Sequence, residues 1–121
     1  MPHCILEYSD NCVDDVQMDS FFKGLHSVLM KTGEFQLDRI KSRATKHSEY
    51  VVGNGDKENA FVHLHVYILT GRSVEKKKEI GQLAHEYCVR YFERSFSRLT
   101  CSITCEVKEL NRDFYFVAKK D

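Results

Sequence analysis

Pro2 is the only proline among the 121 residues and stands directly behind Met1. If Met1 is removed, residue 2 presents a secondary amine, a group that no internal side chain supplies. Burial and neighbouring positive charge both disfavour the ammonium form, so such an amine can act as a base near neutral pH. With Met1 attached, the same nitrogen is a tertiary amide without a basic lone pair. Three cations are candidates for holding an anion. Lys41 and Arg43 are of one parity in an extended segment and so share a face. Arg72 precedes a predicted helix start, where backbone N–H groups and the helix dipole favour an anion. A base with fixed cations suits proton transfer on an anionic substrate, the cations holding its ends and stabilising charge as it develops. For each cation the competing role is a solvated strand edge or helix start, and for Pro2 an ordinary second residue.

Other residues with chemical potential are less organised. His63 and His65 share a strand face, as a metal pair requires, but no third ligand is evident from sequence, so no metal site is assigned. Cys4, Cys12, Cys88, Cys101 and Cys105 are odd in number and lack CxxC spacing, which argues against a disulfide framework or zinc knuckle. They read as reduced packing groups.

Lys plus Arg and Asp plus Glu both total 18, giving zero net charge with histidine neutral. The field of such a molecule does not favour polyanions, so nucleic acid is not an expected partner. No stretch approaches the roughly 18 consecutive apolar residues of a membrane helix, and no basic-then-apolar leader opens the chain. A soluble, cytoplasmic protein is expected, with residues 1–121 as one domain that buries roughly two-thirds of its unfolded surface.

The elements that must position these residues follow from periodicity. Pro2 to Tyr8 is strand-like, and Ser9, Asp10 and Asn11 open a polar turn. Phe21, Phe22, Leu25, Val28 and Leu29 recur at helical spacing, with Asp19 or Ser20 as N-cap and Gly33 as terminator. The pattern from Gln36 to Val52 is extended. Gly53-Asn54-Gly55-Asp56 signals a turn, and Ala60 to Leu69 then places Val62, Leu64, Val66 and Ile68 on one side. Ser73 is the expected N-cap of a second helix with the stripe Ile80, Leu83, Ala84, Tyr87, Cys88 and Tyr91. Cys101 to Leu110 reads as a fourth strand. Phe114, Tyr115 and Phe116 close the chain, with core packing as their first reading.

This order is two βαβ units, about 2–52 and 60–110. It predicts an α+β fold: a four-stranded mixed sheet with two helices on one face. Nothing remains to cover the other face, where Ile103, Val107 and Phe61 are expected, so self-association is predicted.

The chain resembles the N-terminal-proline tautomerase superfamily, and within it the 5-carboxymethyl-2-hydroxymuconate delta-isomerase family. The resemblance is carried by Pro2-His3, Tyr8-Ser9-Asp10-Asn11, Thr32-Gly33, Ile40-Lys41-Ser42-Arg43, Ala60-Phe61-Val62-His63 and Gly71-Arg72-Ser73, in family order across nearly the whole chain. It implies a homotrimer whose proline, freed from Met1, ketonises a small unsaturated 2-hydroxy acid bearing carboxylates. It implies no metal or organic cofactor. Pro2, Arg72 and Arg43 would be catalytic, and Lys41, Arg43 and Arg72 would bind substrate. Lys41 stands where the family pattern has arginine, which keeps the charge but loses the planar fork. The alternatives are another superfamily activity, such as a phenylpyruvate-type tautomerase or a decarboxylase, and a trimeric binding protein resembling macrophage migration inhibitory factor.

Overall fold

The chain is organised around β1 (His3–Ser9), in which Cys4, Leu6 and Tyr8 point into the core while His3, Ile5 and Glu7 point away from it. The structure is a computed structural model that describes residues 1–120. The remaining elements are α1 (Met18–Met30), β2 (Lys41–His47), β3 (Asn59–Leu69), α2 (Val74–Tyr91), α3 (Glu93–Arg98) and β4 (Thr100–Leu110). They form one sheet in the order β2-β1-β3-β4. β1 runs parallel to β2 with Leu6 opposite Ala44, and β3 runs parallel to β4 with Leu64 opposite Cys105. The two halves meet along the antiparallel β1–β3 pair, where Leu6 faces Leu64. This is the mixed four-stranded sheet with two main helices that the alternation predicts.

Alternation also decides what each face carries. Val62, Leu64, Val66 and Ile68 are fully buried beneath the helices with Phe21, Leu25, Leu29, Ile80, Ala84 and Phe92. Ser73 caps α2 as expected, its hydroxyl accepting the Lys76 N–H. Ser9 and Asn11 are joints between the halves: the Ser9 hydroxyl accepts the Phe61 N–H, and the Asn11 amide donates to the Lys57 and Asn59 carbonyls. All five cysteines are free thiols, and burial pushes the Cys4 thiol up to about 11. Among the described residues no helix is long and apolar enough to cross a membrane.

Several local expectations are corrected. Helix α1 begins at Met18 behind Gln17, without a side-chain cap from Asp19 or Ser20. β2 is confined to Lys41–His47, because Leu37–Arg39 turns as a short 3-10 segment. Residues 93–98, which carry little apolar periodicity, form α3. Ile103 and Val107 pack against the helical core, since that parity of β4 lies on the helix side. The open face instead mixes polar His3, Glu7, Arg43, His47, His63, His65, Glu106 and Lys108 with Ile5, Phe61 and Tyr67. Phe114 and Phe116 are 76% and 87% exposed, so they are not core residues in the single chain.

Helix α1 packs against Tyr87 of α2 at Gly24. A Cβ added there would sit 2.1 Å from the Tyr87 hydroxyl, which is fixed by a 2.7 Å hydrogen bond to the Phe21 carbonyl. Glycine in a helix interior ordinarily costs about 0.5 to 1 kcal/mol relative to alanine. Here overpacking outweighs that gain, and Gly24→Ala should lower stability by about 1 to 3 kcal/mol, read as a reduced urea midpoint. A midpoint equal to or above that of the parent would mean that Tyr87 swings aside freely.

Candidate active site at the N-terminal cleft

The start of β1 is bound into the sheet rather than left to fray. The Pro2 carbonyl accepts the Lys41 N–H at 3.1 Å, and the Pro2 side chain is fully buried. Met1 therefore projects into a cleft of about 570 Å³ that also reaches Glu34, Phe35, Lys41, Arg72 and the C-terminal segment. The Met1 ammonium and the Lys41 ammonium both donate to the Arg39 carbonyl, each at 3.2 Å. Burial, followed by the charges of Lys41, Arg39 and Arg72, pushes the terminal amine below its ordinary pKa.

Arg72 forms one wall. Its Nε donates to the Glu34 carboxylate at 3.0 Å, while Nη1 and Nη2 donate to the Leu69 and Glu34 carbonyls at 3.1 Å each. The guanidinium stacks over the Phe35 ring with 4.9 Å to its centroid. Three of its five N–H groups are thereby engaged, leaving two for a ligand. The fork is fixed before anything binds, which lowers the ordering cost of gripping a carboxylate.

The residues singled out from sequence divide here. Lys41 and Arg72 line the cleft, whereas Pro2 is buried directly behind Met1, which does line it. Arg43 does not line it in the single chain; its Nη1 lies 3.1 Å from His3 Nδ1 on the open sheet face. Arginine can only donate, so Nδ1 accepts and His3 carries its proton on Nε2, donating to the Tyr115 hydroxyl at 2.8 Å. Sequence reasoning missed Arg39, Arg112, Lys119 and Glu34, all of which line the cleft. They come from two stretches far apart in sequence, 34–39 and 112–119, without a motif, so only folding relates the two. Arg112 is anchored by its Nη2 on the Thr70 carbonyl at 3.1 Å.

Comparisons with known proteins bear on the family and the fold. A family profile described as 5-carboxymethyl-2-hydroxymuconate isomerase matches residues 2–119. The chain belongs to that isomerase family. It is 28% identical over 116 residues to the 5-carboxymethyl-2-hydroxymuconate Delta-isomerase of Escherichia coli, spanning 96% of this chain and 92% of the relative. Its fold matches the crystal structure of a 5-carboxymethyl-2-hydroxymuconate isomerase from Deinococcus radiodurans R1 with a TM-score of 0.90 and 29% identity, covering 98% and 90% of the two chains. A more distant likeness, to a symmetric trimer of fused 4-OT at 12% identity and TM-score 0.75 over 96% and 91% of the chains, shows the tautomerase fold alone.

In this isomerase-family chain His3 reports on the charge around the chain's N-terminal amine. Burial, then Arg43, Lys41 and the terminal amine, hold its imidazole below the ordinary value of 6.5. With the folded pKa depressed, the unfolded chain binds more protons, so this residue removes stability as pH falls below about 6.5. An NMR titration should place the His3 midpoint below 6.5, and Arg43→Ala should raise it. A midpoint unmoved by that substitution would separate His3 from Arg43.

Proposed function

We propose that the protein, once Met1 is removed, is a cofactor-independent isomerase that ketonises an unsaturated 2-hydroxy acid through the Pro2 amine, with 5-carboxymethyl-2-hydroxymuconate as the leading substrate. The observation that carries this reading is the placement of the terminal amine. It lies in a cleft beside Lys41, Arg39 and Arg72, all of which lower its affinity for a proton. Trimming Met1 moves the amine one residue back, onto Pro2, whose side chain is fully buried, and desolvation increases. The free amine then takes the proton of the 2-hydroxyl. The C2–O bond becomes a carbonyl, the double bonds shift along the chain, and the ammonium returns the proton to a carbon further along. Arg72 and Lys41 hold carboxylates and stabilise charge on the 2-oxygen.

Arg43 has a supporting part in this scheme, through His3. The family's substrate is polyanionic, and here Glu34 lies on Arg72. That carboxylate, with lysine at position 41, favours a related acid with fewer carboxylates as the second reading. A homotrimer is proposed on the family membership and on Phe114, Phe116 and Val117, which are exposed beside the cleft. Five free thiols suit a reducing cytoplasm.

Pro2→Ala should reduce ketonisation of dienol acids by about 10²-fold or more in stopped-flow absorbance assays, since positioned bases contribute about 10² to 10⁴. The same sample should keep its sedimentation at three chains per particle. Intact mass must show Met1 absent from active protein. Full activity with Met1 retained would end the proline mechanism. A panel of mono- and dicarboxylate dienols then separates the two substrate readings.

A further inference from the structure

We propose that the open face of the sheet carries a divalent-metal site formed by His63, His65 and Glu106. One donor atom from each of the three residues lies within 4.8 Å of the other two. The scaffold is two long parallel strands in fixed register, with His65 directly beside Glu106 and His63 beside Thr104. The site is independent of the proline chemistry, because none of the three residues lines the cleft.

The hydrogen bonds leave one ring nitrogen of each histidine without a proton. The Thr104 hydroxyl donates to the Val62 carbonyl at 3.4 Å, so its oxygen accepts from His63 Nδ1 at 2.6 Å. The lone pair of His63 is then on Nε2, 4.0 Å from the Glu106 carboxylate. His65 is fixed from the opposite side. Its Nε2 donates to Glu7 at 2.6 Å, leaving the lone pair on Nδ1. A carboxylate behind a histidine sets both tautomer and ring orientation at metal sites, and Glu7 stands in that position.

Two imidazole lone pairs and a carboxylate form a group of acceptors with no proton among them. The fold already answers this with a cation. The Lys108 ammonium lies 3.0 Å from His65 Nδ1 and 3.5 Å from the Glu106 carboxylate. An ammonium on a flexible, one-third-exposed side chain is a replaceable occupant, and it can turn back toward the Tyr67 ring beneath it. Two imidazoles, one carboxylate and an open position suit Zn²⁺. Donors on tetrahedral zinc lie roughly 3.3 Å apart, so closure requires a rotamer change at Glu106, whose side chain is 55% exposed. The ion would clamp β3 to β4.

Isothermal titration of the metal-free protein with ZnCl₂ at mildly alkaline pH tests the site. One zinc per chain is expected. Glu106→Gln and His63→Ala should each weaken binding at least tenfold. Lys108→Met should tighten it several-fold, because the competing ammonium has gone. Protein loaded with Co²⁺ should lack the near-ultraviolet charge-transfer band of thiolate ligation. Substoichiometric binding, unchanged affinity in Glu106→Gln, weaker affinity in Lys108→Met, or a thiolate band would each overturn the proposal.

Discussion

One backbone hydrogen bond, from the Lys41 N–H to the Pro2 carbonyl, underlies the arrangement of the N-terminal cleft. A chain terminus ordinarily frays, and an amine on a frayed terminus is solvated and protonated. Here residue 2 enters an inner strand flanked on both sides, and Cys4 and Leu6 are fully buried immediately behind it. The terminal amine is thereby held at a fixed place among cations. The same pairing sets β2 beside β1, so Lys41 reaches the cleft because His3 lies opposite it in register.

The sheet separates two environments through strand parity alone. One side of β1 and β3 is apolar and fully covered by α1 and α2, whose close approach at Gly24 is locked by the Tyr87 hydroxyl. The other side is a network of imidazoles, carboxylates and cations in which Glu7 accepts from both His47 and His65. Those bonds, His65 first, hold the Glu7 carboxyl below its ordinary range. The open face is mixed rather than apolar, with Ile5, Phe61 and Tyr67 among its charged groups. Phe116 and Val117 beside the cleft add exposed apolar surface at the chain's end.

Much of the fold was legible because it depends on local periodicity. The alternation of Val62 to Ile68 and the stripe from Ile80 to Cys88 identify β3 and α2 without tertiary knowledge, and Ser73 marks where α2 begins. The errors fell where periodicity says nothing about direction. Ile103 and Val107 are alternate residues of a strand, but which face they take depends on how β4 pairs with β3. Residues 93–98 are helical although their sequence has no apolar stripe. Asp14 accepts the backbone N–H groups of Arg94 and Ser95 at the start of that turn, a contact across 80 positions.

For the candidate site, sequence alone determined the kinds of chemistry present: a potential terminal amine at Pro2, cations at Lys41 and Arg72, and two histidines of one parity at His63 and His65. Residue type and near-neighbour spacing are local properties, so they can be read from the chain directly. Only the tertiary structure decided which of these groups meet. It brought Arg39, Arg112 and Lys119 to the cleft, turned Arg43 toward His3, and set Glu106 beside the histidine pair. The physical reason is strand pairing and register, which relate residues far apart in sequence and leave no signature in either segment by itself.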